Sequence, residues 1–120
     1  MTREQRRAKS TFERVSQHQG KEKTWRDQYG GMAHKIPVLV RQAGLAQTLA
    51  FVESRGKDPH RMLLADLAKT VELSKDALLK QSREAPLGEY LRLTREVLAV
   101  AQWYKRFAQS VLDVEAGAEE

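Results

Sequence analysis

One long stretch, from Leu87 to about Asp113, carries apolar residues at helical spacing without interruption. Because each residue of an α-helix turns by roughly 100° about the axis, these residues share one broad arc of about two thirds of the circumference, as in a helix largely surrounded by protein. The pattern therefore predicts a long, packed C-terminal helix. The arc, drawn from Trp103, holds Leu87, Tyr90, Leu93, Val97, Leu98, Val100, Ala101, Tyr104, Phe107, Val111 and Leu112.

Shorter segments with the same period precede this helix. The spacing predicts an exposed helix over 3–19 and a second helical segment over 24–33 that Gly30 and Gly31 interrupt. It further predicts a helix after Pro37 with a bend or short break at Gly44, ending near Gly56.

The next segment, GKDP at 56–59, reads as a loop, and a helix follows over 60–71. Ser74 is placed as the N-cap of a short helix that ends before Pro86, since the residue preceding a proline is pushed out of helical geometry.

No segment alternates as a half-buried strand does, and no internal repeat is found. Seven glycines and three prolines in 120 residues also favour helix. We therefore predict an all-α, single-domain bundle of five to six helices over residues 1–115, followed by a flexible tail at 116–120.

Charge is distributed unevenly along the chain. Residues 1–61 contain 13 lysines and arginines against 6 acidic residues, a net charge of +7, whereas residues 62–120 have a net charge of −2. The first half is thus a candidate surface for a polyanion, with an ordinary solvated surface as the alternative. The chain has no cysteine, a polar basic start and no run of eighteen apolar residues, so we expect a soluble protein of the cytoplasm that spans no membrane.

The segment AQWYKRFAQ, 101–109, combines three aromatic residues with two cations. On the helical wheel Trp103, Tyr104 and Phe107 fall on the apolar arc, which favours packing in a core or subunit interface over base stacking. Arg92, Arg95 and Arg106 lie on the opposite side, where three guanidinium groups form a candidate phosphate track.

Residue patterns of catalysis are not found. His18, His34 and His60 are scattered without a nucleophile or a metal-ligand spacing around them, and we interpret each as a surface histidine. The glycines of YGGMAHK lack the spacing of a phosphate-binding loop. We predict a protein that is not an enzyme, with no metal, no cofactor and no small-molecule substrate.

Residues 64–81, LADLAKTVELSKDALLKQ, resemble a helix-turn-helix of antitoxin-type regulators, which would place the second helix in a DNA major groove. Two features weaken this alternative. Glu72 stands where such turns usually have glycine, because the backbone there adopts positive φ, and the second helix lacks side chains that read base edges. A simple helical hairpin explains the same residues.

Two other stretches carry a family resemblance. YGGMAHKIPVLVRQAGLAQTLAFVESRG, 29–56, and YLRLTREVLAVAQWYKRFA, 90–108, are similar to the small subunit of the type III-B CRISPR effector, the Cmr complex. Together with the basic first helix they cover more than half of the chain.

The resemblance implies an all-helical, non-catalytic subunit, present in several copies, that stacks into the inner filament of a crRNA-guided complex. Its partners would be further copies, the other Cmr subunits, the crRNA and the target RNA, with cleavage left to other subunits. Base pairing with the guide would supply sequence specificity, so this subunit needs a basic flank and no base-reading side chains. The candidate RNA-binding residues are Lys35, Arg41, Arg55, Lys57, Arg92, Arg95 and Arg106.

Overall fold

Residues 1–119, the part of the chain described by a computed structural model, form six helices and no strand. The helices are α1 (Arg3–Ser16), α2 (Lys23–Ala43), α3 (Leu45–Arg55), α4 (Asp58–Thr70), α5 (Lys75–Glu84) and α6 (Leu87–Ser110). The predicted all-α bundle with a long C-terminal helix is thereby confirmed. None of these helices is long and apolar enough to cross a membrane.

Several predicted helix ends are confirmed by their backbone geometry. Gly44, at φ 87°, separates α2 from α3, and Gly56 ends α3 in the left-handed conformation. The Ser74 hydroxyl accepts a hydrogen bond from the amide of Ala77 and caps α5. Ala85 is extended ahead of Pro86, as sterics require.

Three predicted boundaries are wrong. Helix α1 ends at Ser16 and not at residue 19, since residues 17–20 form turns. The segment with Gly30 and Gly31 is not interrupted, because α2 continues through both glycines and through Pro37 to Ala43. The middle of this helix, from Tyr29 to Pro37, is buried except at Lys35, so tertiary packing outweighs the low helix propensity of glycine and proline. The loop predicted at 56–59 is also shorter, since Pro59 lies in the first turn of α4, where its missing N–H needs no partner.

The core forms where α6 packs along α2 and α1. Side chains from all six helices and from the segment after α6 contribute to it, and Tyr104 is its largest residue on α6. The predicted apolar arc of α6 is buried or half-buried with one exception. Leu87, at the first turn, is 73% exposed.

A buried carboxylate links three parts of the bundle. His18 Nε2 lies 2.8 Å from Oδ2 of Asp66 on α4, and the Tyr29 hydroxyl of α2 donates to the same oxygen at 2.7 Å. Asp66 is 4% exposed. Burial, followed by the charge of Asp66, raises the pKa of Tyr29 well above its ordinary value, so this hydroxyl keeps its proton and remains a donor.

The segment after α6 folds back over the two glycines of α2. A Cβ built on Gly30 would lie 2.6 Å from Cβ of Val114, and one on Gly31 would lie 2.9 Å from Cγ of Glu119. The backbone carbonyl of Val114 accepts a hydrogen bond from His34 Nε2 at 2.7 Å. The two glycines therefore allow the segment after α6 to approach α2 closely, and they do not interrupt the helix.

The tail predicted for 116–120 begins two residues beyond Val114. In its described part Ala118 packs against the core, and the Glu119 side chain is 2% exposed. Glu120 lies outside the described residues. The mobility of this tail stays a prediction.

Helix α1 lies across α6 and is held there by an ion pair and by ring contacts. Arg7 donates through Nε, at 3.0 Å, and Nη2 to the two carboxylate oxygens of Glu96. The Phe12 ring meets the Phe107 ring edge to face, at 5.4 Å between centroids. The hydrogen bonds from Arg7 lower the pKa of Glu96.

Gly30→Ala is expected to destabilise the fold by about 1–3 kcal/mol, because the new methyl group collides with Val114. Alanine would otherwise favour a helix interior by about 1 kcal/mol. Urea unfolding measures the loss. Gly88→Ala is the matched control, since a Cβ there meets nothing within 4 Å. Val114→Gly, which removes the colliding Cβ together with both methyl groups, should recover part of the loss in the Gly30→Ala background. A fully stable Gly30→Ala single variant would contradict the close approach.

The Arg7–Glu96 pair is expected to make stability depend on acid pH. Because the pKa of Glu96 is lowered in the folded state, its contribution is complete above the unfolded value of about 4.3 and is lost as pH falls through the folded value. The difference in free energy of unfolding between wild type and Glu96→Gln should thus become smaller as the pH falls from about 5 to about 3. Urea unfolding at several pH values measures this gap. Glu89→Gln, on the exposed side of α6, is the control, and a constant gap would refute the expectation.

Candidate nucleic-acid interface

Six of the seven predicted RNA-binding cations are exposed, and one is not. Lys35 is only 26% exposed, and its Nζ lies 2.9 Å from Oε1 of the buried Glu119 carboxylate. Lys35 therefore neutralises a carboxylate of its own chain. The exposed residues are Arg41, Arg55, Lys57, Arg92, Arg95 and Arg106.

The exposed cations fall into two groups on different elements. Arg92, Arg95 and Arg106 share one side of α6, as their spacing requires, and Arg106 is about 16 Å along the axis from Arg95 at 1.5 Å per residue. Arg41 and Arg55 lie in the last turns of α2 and α3, where a cation also complements the helix dipole. Lys57 follows in the turn before α4.

The three aromatic residues of the segment 101–109 on α6 are engaged in packing, as the helical wheel predicted. The Tyr104 ring is 1% exposed, and its hydroxyl lies 2.8 Å from the hydroxyl of Thr70. Trp103 stacks on Phe107 at 5.5 Å between centroids, and its Nε1 donates to a carboxylate oxygen of Glu4 on α1. Helix α1 thus contacts Trp103 and Phe107, which are both half-buried.

A basic cavity that sequence reasoning missed lies between α1, the turn after α4, and α6. Its volume is about 540 Å³. None of the seven predicted cations lines it. Its lining comprises Arg3, Arg6, Arg7, Ser10, Arg14, Lys69, Thr70, Val71, Glu72 and Glu96. The signal in the sequence was the excess of arginine in the first helix, which indicated a basic surface but not which other elements face it.

The cavity wall contains both paired and unpaired cations. Glu96 and, more weakly, Glu4 raise the pKa of Arg7 by accepting its hydrogen bonds, so Arg7 is committed to these carboxylates. Arg3 and Lys69 form no ion pair within residues 1–119. Nε of Arg14 is buried and has no hydrogen-bond partner in the same region. Unsatisfied positive charge therefore remains at this site.

The interpretation of the histidines as surface residues is wrong. His18 is 4% exposed, His34 is 9% and His60 is fully buried. His60 Nε2 lies 3.2 Å from Oε2 of Glu119. Each imidazole contacts an acceptor supplied by a distant part of the chain, which spacing along the sequence cannot reveal. No group of three or more metal-ligating side chains is present among the described residues.

The segment proposed as a helix-turn-helix contains the turn geometry that the sequence argued against. Glu72 adopts φ 63°, and the amide of Leu73 bonds to the carbonyl of Ala68 in the manner of a Schellman motif. The second helix, α5, buries Leu78 and Leu79 against the bundle. A helical hairpin that packs in the core accounts for this segment.

Comparison with known proteins gives a family for this fold. The family model of the CRISPR-associated protein Cas_Cmr5 matches residues 3–111. The CRISPR system Cmr subunit Cmr5 of Thermus thermophilus is 56% identical over 89 residues, 73% of this chain and 78% of that protein. The X-ray structure of a CRISPR-associated Cmr5 family protein from the same organism superposes with a TM-score of 0.87 at 50% identity, covering 93% of this chain and 98% of that one. The chain therefore belongs to the Cas_Cmr5 family of CRISPR-associated proteins.

Proposed function

We propose that this chain is the small, inner-filament subunit of a crRNA-guided type III-B Cmr complex that targets RNA in antiviral defence. In this role it stacks with copies of itself and with backbone subunits, and it contacts the guide and target RNA. It acts in the cytoplasm, does not cleave RNA and uses no cofactor.

Family membership is the observation that carries this proposal, since the matched region spans nearly all of the folded chain. The charge pattern supports the RNA contact. Arg41, Arg92, Arg95 and Arg106 form no ion pair with a carboxylate of residues 1–119, so their guanidinium groups are available to phosphates.

Arg55 is also available to phosphates, although its guanidinium contacts an aromatic ring. Its guanidinium lies over the Phe51 ring, 5.9 Å from the centroid, which orients the side chain but leaves its donors unused. Lys57, two residues further along the chain, is exposed. Lys35 remains a member of the proposed set on the resemblance alone, because Glu119 already neutralises it.

The proposed mechanism separates positioning from sequence reading. Arginine and lysine contacts to phosphate supply affinity that depends steeply on salt and little on sequence. Pairing between guide and target supplies the specificity. A single copy offers few contacts, whereas a filament of linked copies adds them along one duplex.

Self-association needs surfaces that the monomer leaves uncovered. The side chains of Leu87 and Leu91 are 73% and 46% exposed, and they lie one turn apart on the first part of α6. Val38 on α2 is 46% exposed. Isolated exposed apolar residues are common on soluble proteins, so the pair on α6 is the stronger support for stacking.

We expect the triple variant Arg92→Gln, Arg95→Gln, Arg106→Gln to weaken binding of target RNA by the assembled complex. Loss of three phosphate contacts should reduce the slope of log K against log salt by about 2–3. Filter binding across a salt series measures both quantities.

The matched control removes three exposed cations that lie outside the proposed set: Arg61→Gln, Lys80→Gln and Arg83→Gln. An equal loss in the control would contradict the assigned face. Preference of the isolated chain for one DNA sequence would instead favour the helix-turn-helix alternative.

A further inference from the structure

We infer that the cavity between α1, the α4–α5 turn and α6 is a binding site for phosphate groups. The proposal stands on the cavity itself and does not need the RNA-binding face assigned above, since the two share no residue.

The first argument is charge. Five cationic side chains and two carboxylates line the cavity, so its walls carry an excess of three positive charges. Arg7 is held by Glu96, and Nη1 of Arg6 donates to the backbone carbonyl of Met1 at 3.1 Å. Arg3, Arg14 and Lys69 form no ion pair with a carboxylate of the described chain, although Arg3 is near enough to Glu96 to help lower the pKa of that carboxyl.

The second argument is an unsatisfied donor. Nε of Arg14 is excluded from solvent and has no acceptor within residues 1–119. Buried polar groups nearly always find a hydrogen-bond partner, so an orphan donor beside a cavity points to an acceptor that enters from outside. An anionic oxygen satisfies this donor and the charge of the guanidinium together.

The third argument concerns the chemical class of the ligand. Guanidinium groups recognise phosphate oxygens in pairs, and the Ser10 hydroxyl adds a neutral donor. No aromatic ring lines the cavity, so a nucleobase would find no stacking partner there. A volume of about 540 Å³ lies in the range of ligand sites and exceeds what one phosphate ion fills. The site therefore fits a ligand with adjacent phosphate groups, which the cavity recognises by their negative charge.

A strained backbone conformation occurs in the turn that lines the cavity. Glu72 adopts φ 63°, a conformation that costs energy for a residue with a Cβ, and its turn forms one wall of the cavity. Non-glycine residues in this conformation cluster at functional sites. The turn also brings Lys69, in the last turn of α4, to the cavity that the arginines of α1 line.

Calorimetric titration of the full chain with pyrophosphate at low ionic strength tests the site. The double variant Arg3→Gln, Lys69→Gln should bind pyrophosphate at least about tenfold more weakly, because two charged contacts are removed. Both residues are exposed and unpaired within residues 1–119, so the fold should persist, which circular dichroism verifies. Lys80→Gln, Arg83→Gln on α5 removes one lysine and one arginine elsewhere and should bind as wild type does.

Two further measurements test where in the cavity pyrophosphate binds, and neither uses the Arg3→Gln, Lys69→Gln variant. The Arg14 Nε–H resonance of the wild-type protein should shift on addition of pyrophosphate. Glu96→Gln should bind pyrophosphate several-fold more tightly, since it removes a carboxylate that competes for Arg7.

The same variants, titrated with a single-stranded RNA oligonucleotide, identify the source of the phosphates. A parallel loss of RNA affinity in Arg3→Gln, Lys69→Gln assigns the site to the RNA backbone, whereas unchanged RNA affinity assigns it to a free polyphosphate. Absence of pyrophosphate binding by wild type, or an equal loss in the α5 control, overturns the proposal. Failure of the α6 arginine triple to affect RNA would overturn the proposed face and leave this site intact.

Discussion

The arrangement of the bundle depends on one buried carboxylate. His18 and Tyr29 both contact Oδ2 of Asp66, which thus holds the turn after α1 and the first half of α2 against α4. A buried charge that loses one partner costs about 3–5 kcal/mol, so this contact penalises any packing in which α1 swings away. The fold keeps α1 in place from one end, while Arg7 and Phe12 hold its other turns on α6.

The position of α1 has two consequences for the surface. It contacts Trp103 and Phe107, which engages both rings in intramolecular packing and leaves them half-buried. It also directs its arginines toward the turn after α4, where Lys69 and the strained Glu72 complete a basic cavity. The sequence of α1 is that of a solvated, charged helix, but in the fold α1 forms one wall of a concave site.

Several cations of this Cas_Cmr5 family member have no acidic partner within the described chain. Exposed arginines on α6 and at the ends of α2 and α3 lack acidic partners within the described chain, and the cavity adds a second, enclosed cluster. In proteins that bind nucleic acids, arginine contacts to phosphate fix position and carry no sequence information. Lys35 differs, since the carboxylate of Glu119 folds back to meet it.

What the sequence determined by itself is local: the helical periods, the cap at Ser74, the left-handed end at Gly56 and the break at Pro86 each follow from interactions within a few residues. The family was also recognisable from residues in two stretches. Tertiary structure decided which of these residues meet. Gly30 and Gly31 look like helix breakers until Val114 and Glu119 lie against them, and three histidines look exposed until distant acceptors reach them. The basic cavity joins residues more than fifty positions apart, because contacts between helices depend on how the faces pack and not on spacing along the chain.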